Sequence, residues 1–215
     1  MGAPMIFNVK ETDPRQLYKL LIGSVLPRPI AWVSTISKSG KTNLAPFSFF
    51  NAVSANPPMV CFSPAYSQTR QGEYGMEVVP KDTLRNVRET EEFVVNMVSY
   101  FLAEQMNQTS GDYPSEVSEF EAAGLTPMPS QMVKPPYVGE SLINMECKLF
   151  KIVDFGQKPG AGSLIIGEVV VVHVSDSVLK DGHIDPDVLQ PIGRMGGDFY
   201  STVKDRFELH RPVIK

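Results

Sequence analysis

The stretch RPIAWVSTISKSGKTNLAPFSFFNAV, residues 28–53, has the composition of a β-hairpin. Residues 30–36 are rich in β-branched and aromatic side chains, and residues 42–53 are predicted to be extended again. Between them lies Lys38-Ser39-Gly40-Lys41, where glycine tolerates the backbone angles that tight turns require. We therefore predict two antiparallel strands joined by a short turn.

Strand patterns also dominate the rest of the chain. Further strands are predicted at Met59–Ser63, Phe93–Ser99, Leu142–Phe155 and Ser163–Ser175, the last of them buried on both sides because it is dense in β-branched residues. Helices are predicted after Asp13-Pro14, over Asp82–Glu92 with Asp82 as the cap, and twice between residues 100 and 123. Residues 64–80 are predicted to be a surface loop, and the chain from Ile192 onward to be largely irregular. No regular alternation of strand and helix occurs, so we predict a mainly β fold, an antiparallel barrel with inserted helices.

Length and charge restrict the classes of partner. The 215 residues fit a single domain over residues 1–215, and 42% hydrophobic with 20% charged residues is typical of a globular protein. A formal charge of −4, without runs of Lys or Arg, predicts neither nucleic acid nor anionic membrane as a partner. No signal peptide is recognisable, and the apolar run Leu164–Val172 is too short to cross a bilayer. We predict a cytoplasmic protein in which Cys61 and Cys147 are reduced core residues.

Familiar catalytic motifs fail one by one. Gly40-Lys41-Thr42 resembles the end of a P-loop, but Thr35 stands where the motif needs glycine, and a strand follows instead of a helix. His183 and Asp185 lack a third ligand for a metal, and His173 lies among valines, where a structural role is expected. We therefore predict no catalytic side chain and no metal site.

One arrangement is compatible with a ligand. The strand after the turn carries Ser48, Asn51 and Ser54 among phenylalanines, so its edge could offer backbone groups to a flat heterocycle and hydroxyls to a polyol. Lys81-Asp82-Thr83 starts a predicted helix, where backbone N–H groups and the helix dipole favour a phosphate. On these residues alone, a β core followed by an ordinarily capped helix remains the simpler interpretation.

Several segments, taken in order, resemble the flavin reductase-like family with the FMN-binding split barrel. They cover roughly residues 15–200 and are Arg28–Thr35, Gly40, Asn43–Asn51, Asn56–Pro58, Lys81–Thr83 with Asn86, Phe93–Asn96, Gly167–Val169, and Gly193–Gly197 with Tyr200. The resemblance implies a six-stranded, Greek-key-like split β-barrel that forms a homodimer, with FMN near the subunit interface.

The same resemblance implies roles for individual residues. Ser34 and Thr35 would border the flavin ring with Arg28 nearby, and the ring and ribityl chain would be lined by Ala45, Pro46, Phe47, Ser48 and Phe49. A backbone N–H near Ser48 would donate toward flavin N5 or O4. Asn51 would reach the ribityl or phosphate region, and Lys81, Asp82 and Thr83 would lie near the phosphate. Arg194 and Tyr200 would complete the pocket, from this subunit or from its partner.

The resemblance leaves three functions open. The first is an FMN-binding oxidoreductase, an NAD(P)H-dependent flavin reductase that passes electrons to a second flavin, a ferric complex or a monooxygenase partner. The second is a flavoredoxin-like electron carrier reduced by a redox-protein partner, and the third is a non-catalytic flavin-binding module. No residue identifies a nicotinamide subsite. Because the flavin supplies the redox chemistry, none of these functions requires a catalytic acid or nucleophile from the chain.

Overall fold

The computed structural model describes residues 3–72, 75–114 and 116–214. Its helices are α1 (Pro14–Ser24), α2 (Asp82–Thr90), α3 (Ala103–Gln108), α4 (Glu119–Ala122) and α5 (Pro186–Leu189), with 3₁₀ turns at Tyr100–Leu102 and Asp176–Val178. Its strands are β1 (Arg28–Pro29), β2 (Ala31–Ile36), β3 (Thr42–Phe47), β4 (Phe50–Ala55), β5 (Pro58–Phe62), β6 (Ser67–Gly72), β7 (Gly75–Val79), β8 (Glu92–Met97), β9 (Pro127–Met128), β10 (Tyr137–Val138), β11 (Ile143–Asp154), β12 (Ser163–Val174), β13 (Leu179–Lys180), β14 (His183–Ile184), β15 (Ile192–Arg194) and β16 (Tyr200–Thr202).

One antiparallel sheet dominates, with seven strands in the order β3-β2-β8-β11-β12-β5-β4. Phe47 on β3 and Phe62 on β5 belong to strands near opposite ends of this order, yet their ring centroids are 5.3 Å apart. The sheet therefore curls until side chains from its two ends pack together, which makes it a barrel, although β3 and β4 are not hydrogen-bonded to each other. The mainly β fold with inserted helices is confirmed, although the sheet has seven strands rather than six.

Successive residues of β2 point into two different cores, as the period of two in a strand requires. Ala31 and Val33 pack inside the barrel, whereas Trp32 packs outside against α3 and α4, through Met106 and Phe120. Nε1 of Trp32 donates to Thr109 Oγ1 at 2.8 Å. The outer core therefore fixes the inserted helices to the barrel wall.

Gly167 on β12 is required by a close approach inside the barrel. A Cβ at this position would lie 2.3 Å from Cζ of Phe93, whose ring is fully buried. No side chain fits there unless the Phe93 ring moves, and that ring is held against Phe62 at a centroid distance of 5.3 Å. The glycine is thus a packing requirement of the core.

Three local predictions were wrong, and a fourth was confirmed. The extended stretch after the first turn is two strands, because the chain turns at Ser48 and Phe49 from one end of the sheet to the other. The described part of residues 64–80 is mostly strand rather than loop: β6 and β7 pair in antiparallel fashion, and Gly72 and Gly75, which suggested a loop, end β6 and begin β7. The chain from Ile192 onward is largely irregular, as predicted, apart from the short strands β15 and β16; β15 pairs with both β16 and β1. β12 is not buried on both sides, since Glu168 and Val172 are exposed.

Candidate functional site

A cleft of about 450 Å³ lies between the barrel and the inserted helices, and we call it the main cleft. Ala45 and Pro46 of β3 form one wall. The end of β7 and the start of α2 form the second wall, and the turn after α3 forms the third. The lining residues are Asn43, Ala45, Pro46, residues 79–83, residues 109–114, Glu116 and Glu119. This volume lies within the range of small-molecule and cofactor sites.

The start of α2 gives the main cleft the features of an anion site. Lys81 is the N-cap residue and makes no side-chain cap, so the first-turn N–H groups depend on other acceptors. The prediction that Asp82 caps α2 was wrong, because Lys81 occupies that position. Asp82 lies in the first turn, with its Oδ1 2.8 Å from Nη2 of Arg85. Thr83 is buried at the edge of the cleft, and its hydroxyl accepts a hydrogen bond from Asn43 Nδ2 at 3.0 Å. That hydroxyl keeps its own proton to donate.

Glu119 is the buried carboxyl group of the main cleft. Its Oε2 accepts the backbone N–H of Leu44 at 3.0 Å, which ties the start of α4 to β3. Burial raises the pKa of Glu119, and the Leu44 N–H opposes this rise only in part. The side chain therefore links the wall formed by the inserted helices to the strand wall.

Arg28 and Arg194 form a separate cluster on the short sheet of β1, β15 and β16. They are register partners, and burial lowers the pKa of Arg28, as does the charge of Arg194. The Arg28 guanidinium donates to the carbonyl oxygens of Ile22, Val25 and Met195, and its Nε donates to Ser48 Oγ at 3.3 Å. Arg28 thus fastens the end of α1 to the C-terminal part of the chain, and its donors are used within the fold.

Arg194 is more accessible than Arg28. It donates to the Tyr200 hydroxyl and to the carbonyl oxygen of Gly197, and its guanidinium lies 4.6 Å from the Tyr200 ring centroid. Neither Arg194 nor Tyr200 lines the main cleft of this subunit. The pair is placed together, as the resemblance implied, but away from Lys81 and Thr83.

The other predicted site residues occupy three different environments. Ser34 is buried and donates to the Pro136 carbonyl oxygen at 2.5 Å, and Thr35 is buried and accepts from Asn86 Nδ2 at 3.0 Å. Phe47 belongs to the inner core. Phe49 and Asn51 are exposed beside and on β4. The structure therefore brings together Ala45, Pro46, Lys81, Asp82 and Thr83 in one cleft and leaves the remaining predicted residues outside it.

Sequence reasoning missed the third wall of the cleft. Thr109–Pro114 and Glu119 line it. The Gly111-Asp112-Tyr113-Pro114 turn was visible as a break between two predicted helices, but nothing in the sequence showed that it faces β3. No sequence pattern indicated that Glu119 lines the cleft, because its hydrogen-bond partner Leu44 is 75 positions away.

The model of the flavin reductase-like domain matches residues 22–189 of the chain, well over half of its length. The chain belongs to the flavin reductase-like family. Membership implies flavin binding, and it agrees with a cleft that combines a neutral strand wall with an anion site at a helix start.

Relatives and solved structures extend the similarity over the whole chain. A protein of Aquifex aeolicus is 45% identical over 197 residues, covering 91% of this chain and 94% of its own. The crystal structure of nitrilotriacetate monooxygenase component B from Bacillus cereus is 38% identical with a TM-score of 0.87, covering 97% and 100% of the two chains. That of 2-nitrobenzoate 2-nitroreductase from Pseudomonas fluorescens is 34% identical with a TM-score of 0.83, covering 97% and 96%.

No helix in the described ranges is long and apolar enough to cross a membrane. No group of three or more His, Cys, Asp or Glu side chains in those ranges is placed to hold a metal ion.

Proposed function

We propose that the chain is an FMN-dependent oxidoreductase that takes electrons from NAD(P)H and passes them on through the flavin. The observation that carries the proposal is the main cleft, where an uncapped helix start with Lys81 and Thr83 lies beside the Ala45-Pro46 wall. Bound FMN supplies the redox chemistry, which consists of accepting a hydride and releasing electrons to an acceptor. The chain contributes binding, orientation and exclusion of water.

Each wall of the main cleft has a distinct task in this proposal. Lys81 and the Thr83 hydroxyl bind the phosphate, assisted by the first-turn N–H groups of α2. Ala45 and Pro46 lie against the flavin and ribityl chain, and they add no charge beside it. The turn at residues 111–114 screens the opposite side from water. Glu119 holds this wall to β3 through Leu44, so it positions the cleft.

A homodimer is part of the proposal, because two apolar surfaces have no cover in one subunit. α1 has no buried residue, and Tyr18 and Leu21 on it and Val25 directly after it are exposed. β4 is an end strand of the sheet, exposed from Asn51 to Ala55. Exposed apolar helices and unpaired strand edges mark interaction surfaces, and a second copy would cover both. The Arg194–Tyr200 pair, which lies outside this subunit's main cleft, is then available to the partner.

Replacing Val53 with Asp on β4 is expected to turn the dimer into a monomer, because a carboxylate would be buried without a partner in the interface. Sedimentation velocity at micromolar concentration measures the change. Val172→Asp is the matched control, since Val53 and Val172 are 53% and 52% exposed on different strands. A V53D protein that sediments as the wild type does would exclude β4 from the interface.

Anaerobic stopped-flow mixing of the FMN-loaded protein with NADH or NADPH tests the redox proposal. We expect the flavin absorbance near 450 nm to bleach within seconds, as a hydride acceptor requires. Bleaching by a reduced redox protein alone would favour an electron carrier instead, and no bleaching with any donor would leave a flavin-binding module. The Bacillus cereus structure is named as a monooxygenase component, which favours a second protein as the final acceptor.

A further inference from the structure

A second cavity of about 340 Å³ lies beside the main cleft and shares part of its lining. The β2–β3 turn forms one side of it, and Arg85, Asn86 and Glu89 of α2 form the other. We call it the side cavity. Asn43, Asp82 and Glu119 line both cavities, so these three residues form the partition between them.

The turn side of this cavity is basic. Lys38 and Lys41 line it, both are exposed, and neither forms an ion pair with another described residue. Arg85 adds a third cation, although it is already paired with Asp82 at 2.8 Å. The two unpaired lysines face a cavity that starts where α2 leaves the proposed phosphate site. A second phosphate group is the ligand chemistry that fits this side.

The part of the side cavity lined by Asn86 favours a ligand group that donates a hydrogen bond rather than an anion. Asn86 is buried, and its Nδ2 donates to Thr35 Oγ1. Its Oδ1 has no hydrogen-bond partner among the described residues. A buried acceptor left without a donor is costly, so this part of the cavity favours a ligand or water that brings an N–H or O–H. Glu89 provides another acceptor at the rim. A sugar phosphate combines both requirements, with hydroxyl donors and an anionic group.

We propose that the side cavity binds the adenylate part of a dinucleotide, through its ribose and second phosphate. The proposal rests on the flavin phosphate lying at Lys81 and Thr83, since Asp82 between them belongs to both cavities. Because the two cavities share this partition, a chain of phosphates bound in the main cleft would continue toward Lys38 and Lys41 in the side cavity. FAD and NAD(P)H both carry an adenylate, and the experiment separates these two sources.

The test compares Lys38→Ala/Lys41→Ala with Lys148→Ala/Lys151→Ala, which removes the same charge from exposed positions on β11. Fluorescence quenching gives dissociation constants for FMN and FAD, and steady-state assays of the FMN-loaded protein give KM for NADH and NADPH. We expect the Lys38/Lys41 variant to bind FAD about fivefold more weakly, with FMN binding within twofold of wild type, because partly exposed charge contacts are modest. The loss should shrink as salt is raised. The Lys148/Lys151 control should change neither value.

The remaining outcomes decide between sources or reject the site. A fivefold rise in KM for NADH or NADPH with FAD binding unchanged keeps the subsite and assigns it to the nicotinamide nucleotide. No change in any of these values overturns the proposal, and so does an equal loss of FMN and FAD binding, which would make the lysines part of the flavin site. If the wild-type protein binds neither flavin, the proposed function fails by itself. Calorimetric titration with ADP, on wild type and variant, then tests the side cavity alone, and equal or absent ADP binding rejects it.

Discussion

An FMN dissociation constant at least tenfold above the wild-type value is expected when Lys81 is replaced by Ala and Thr83 by Val. The double variant removes the ammonium group and the hydroxyl that flank the start of α2. Hydrogen bonds to charged groups contribute about 1.5–3 kcal/mol each, and tenfold corresponds to about 1.4 kcal/mol. Titration of the flavin-free protein with FMN, followed by fluorescence quenching, measures the change.

Two further variants separate phosphate binding from structural damage. Thr83→Val also removes the acceptor for Asn43 Nδ2, whereas Thr83→Ser keeps a hydroxyl in place. Lys81→Ala/Thr83→Ser should therefore recover part of the lost affinity. Lys180→Ala, at an exposed position on β13, removes the same charge and should leave FMN binding unchanged. A double variant that binds FMN like the wild type would place the phosphate elsewhere.

Glu146→Gln is expected to lower the free energy of unfolding by about 3–5 kcal/mol at pH 7. This is the range typical of removing one partner from a buried charged pair. The Glu146 carboxylate is fully buried. It accepts the backbone N–H groups of Gln131 and Met132 at 2.7 Å each, and His173 Nε2 lies 2.6 Å from it. A glutamine can present only one acceptor oxygen to these groups and would turn an NH₂ toward the others. Urea unfolding measures the difference.

Glu119→Gln is the matched comparison, because it makes the same change at a second carboxyl group that is buried among the described residues. The Glu119 carboxylate accepts the Leu44 N–H, and the amide oxygen of glutamine can accept the same hydrogen bond. We expect the free energy of unfolding at pH 7 to fall by no more than about 1 kcal/mol, or to rise. Equal destabilisation by the two substitutions would contradict the assigned roles.

The difference in free energy of unfolding between wild type and variant should change with pH in opposite directions for Glu146→Gln and Glu119→Gln. Burial raises the pKa of Glu146, but the hydrogen bonds from Gln131, His173 and Met132 outweigh it and hold the pKa below the usual range. Its stabilisation is complete above about pH 4.3 and is lost as the pH falls through the lower folded value, so the deficit of Glu146→Gln should shrink in acid. The pKa of Glu119 is raised, so its contribution is present below about pH 4.3 and is lost as the pH rises through the raised value.

What the sequence could predict depended on the range of the interactions. The β2–β3 turn and the helix at residue 82 follow from local composition and turn chemistry, and both are present. The role of Arg28 could not be predicted, because one of its acceptors, Met195, is 167 positions away. Glu146 depends on a segment 14–15 positions upstream that has little regular structure of its own.

In the candidate site, too, some features could be predicted from the sequence, and others depend on contacts between distant positions. The family resemblance implied the strand wall and the helix start, and Ala45, Pro46, Lys81, Asp82 and Thr83 share one cleft. The third wall comes from an insertion whose position depends on the contact of Trp32 with Thr109, 77 positions apart. No periodic pattern records such a contact, so the depth of the cleft could be learned only from the fold.

The strand order also constrains how the protein can be made. β5 is complete by residue 62, yet one of its two neighbours in the sheet is β12, which begins at residue 163. During synthesis the β4–β5 hairpin must therefore wait, unpaired on one side, for about a hundred residues to leave the ribosome. The hydrogen bond from Arg28 to the Met195 carbonyl oxygen forms later still, so α1 gains its full anchorage only after residue 195 has been synthesised.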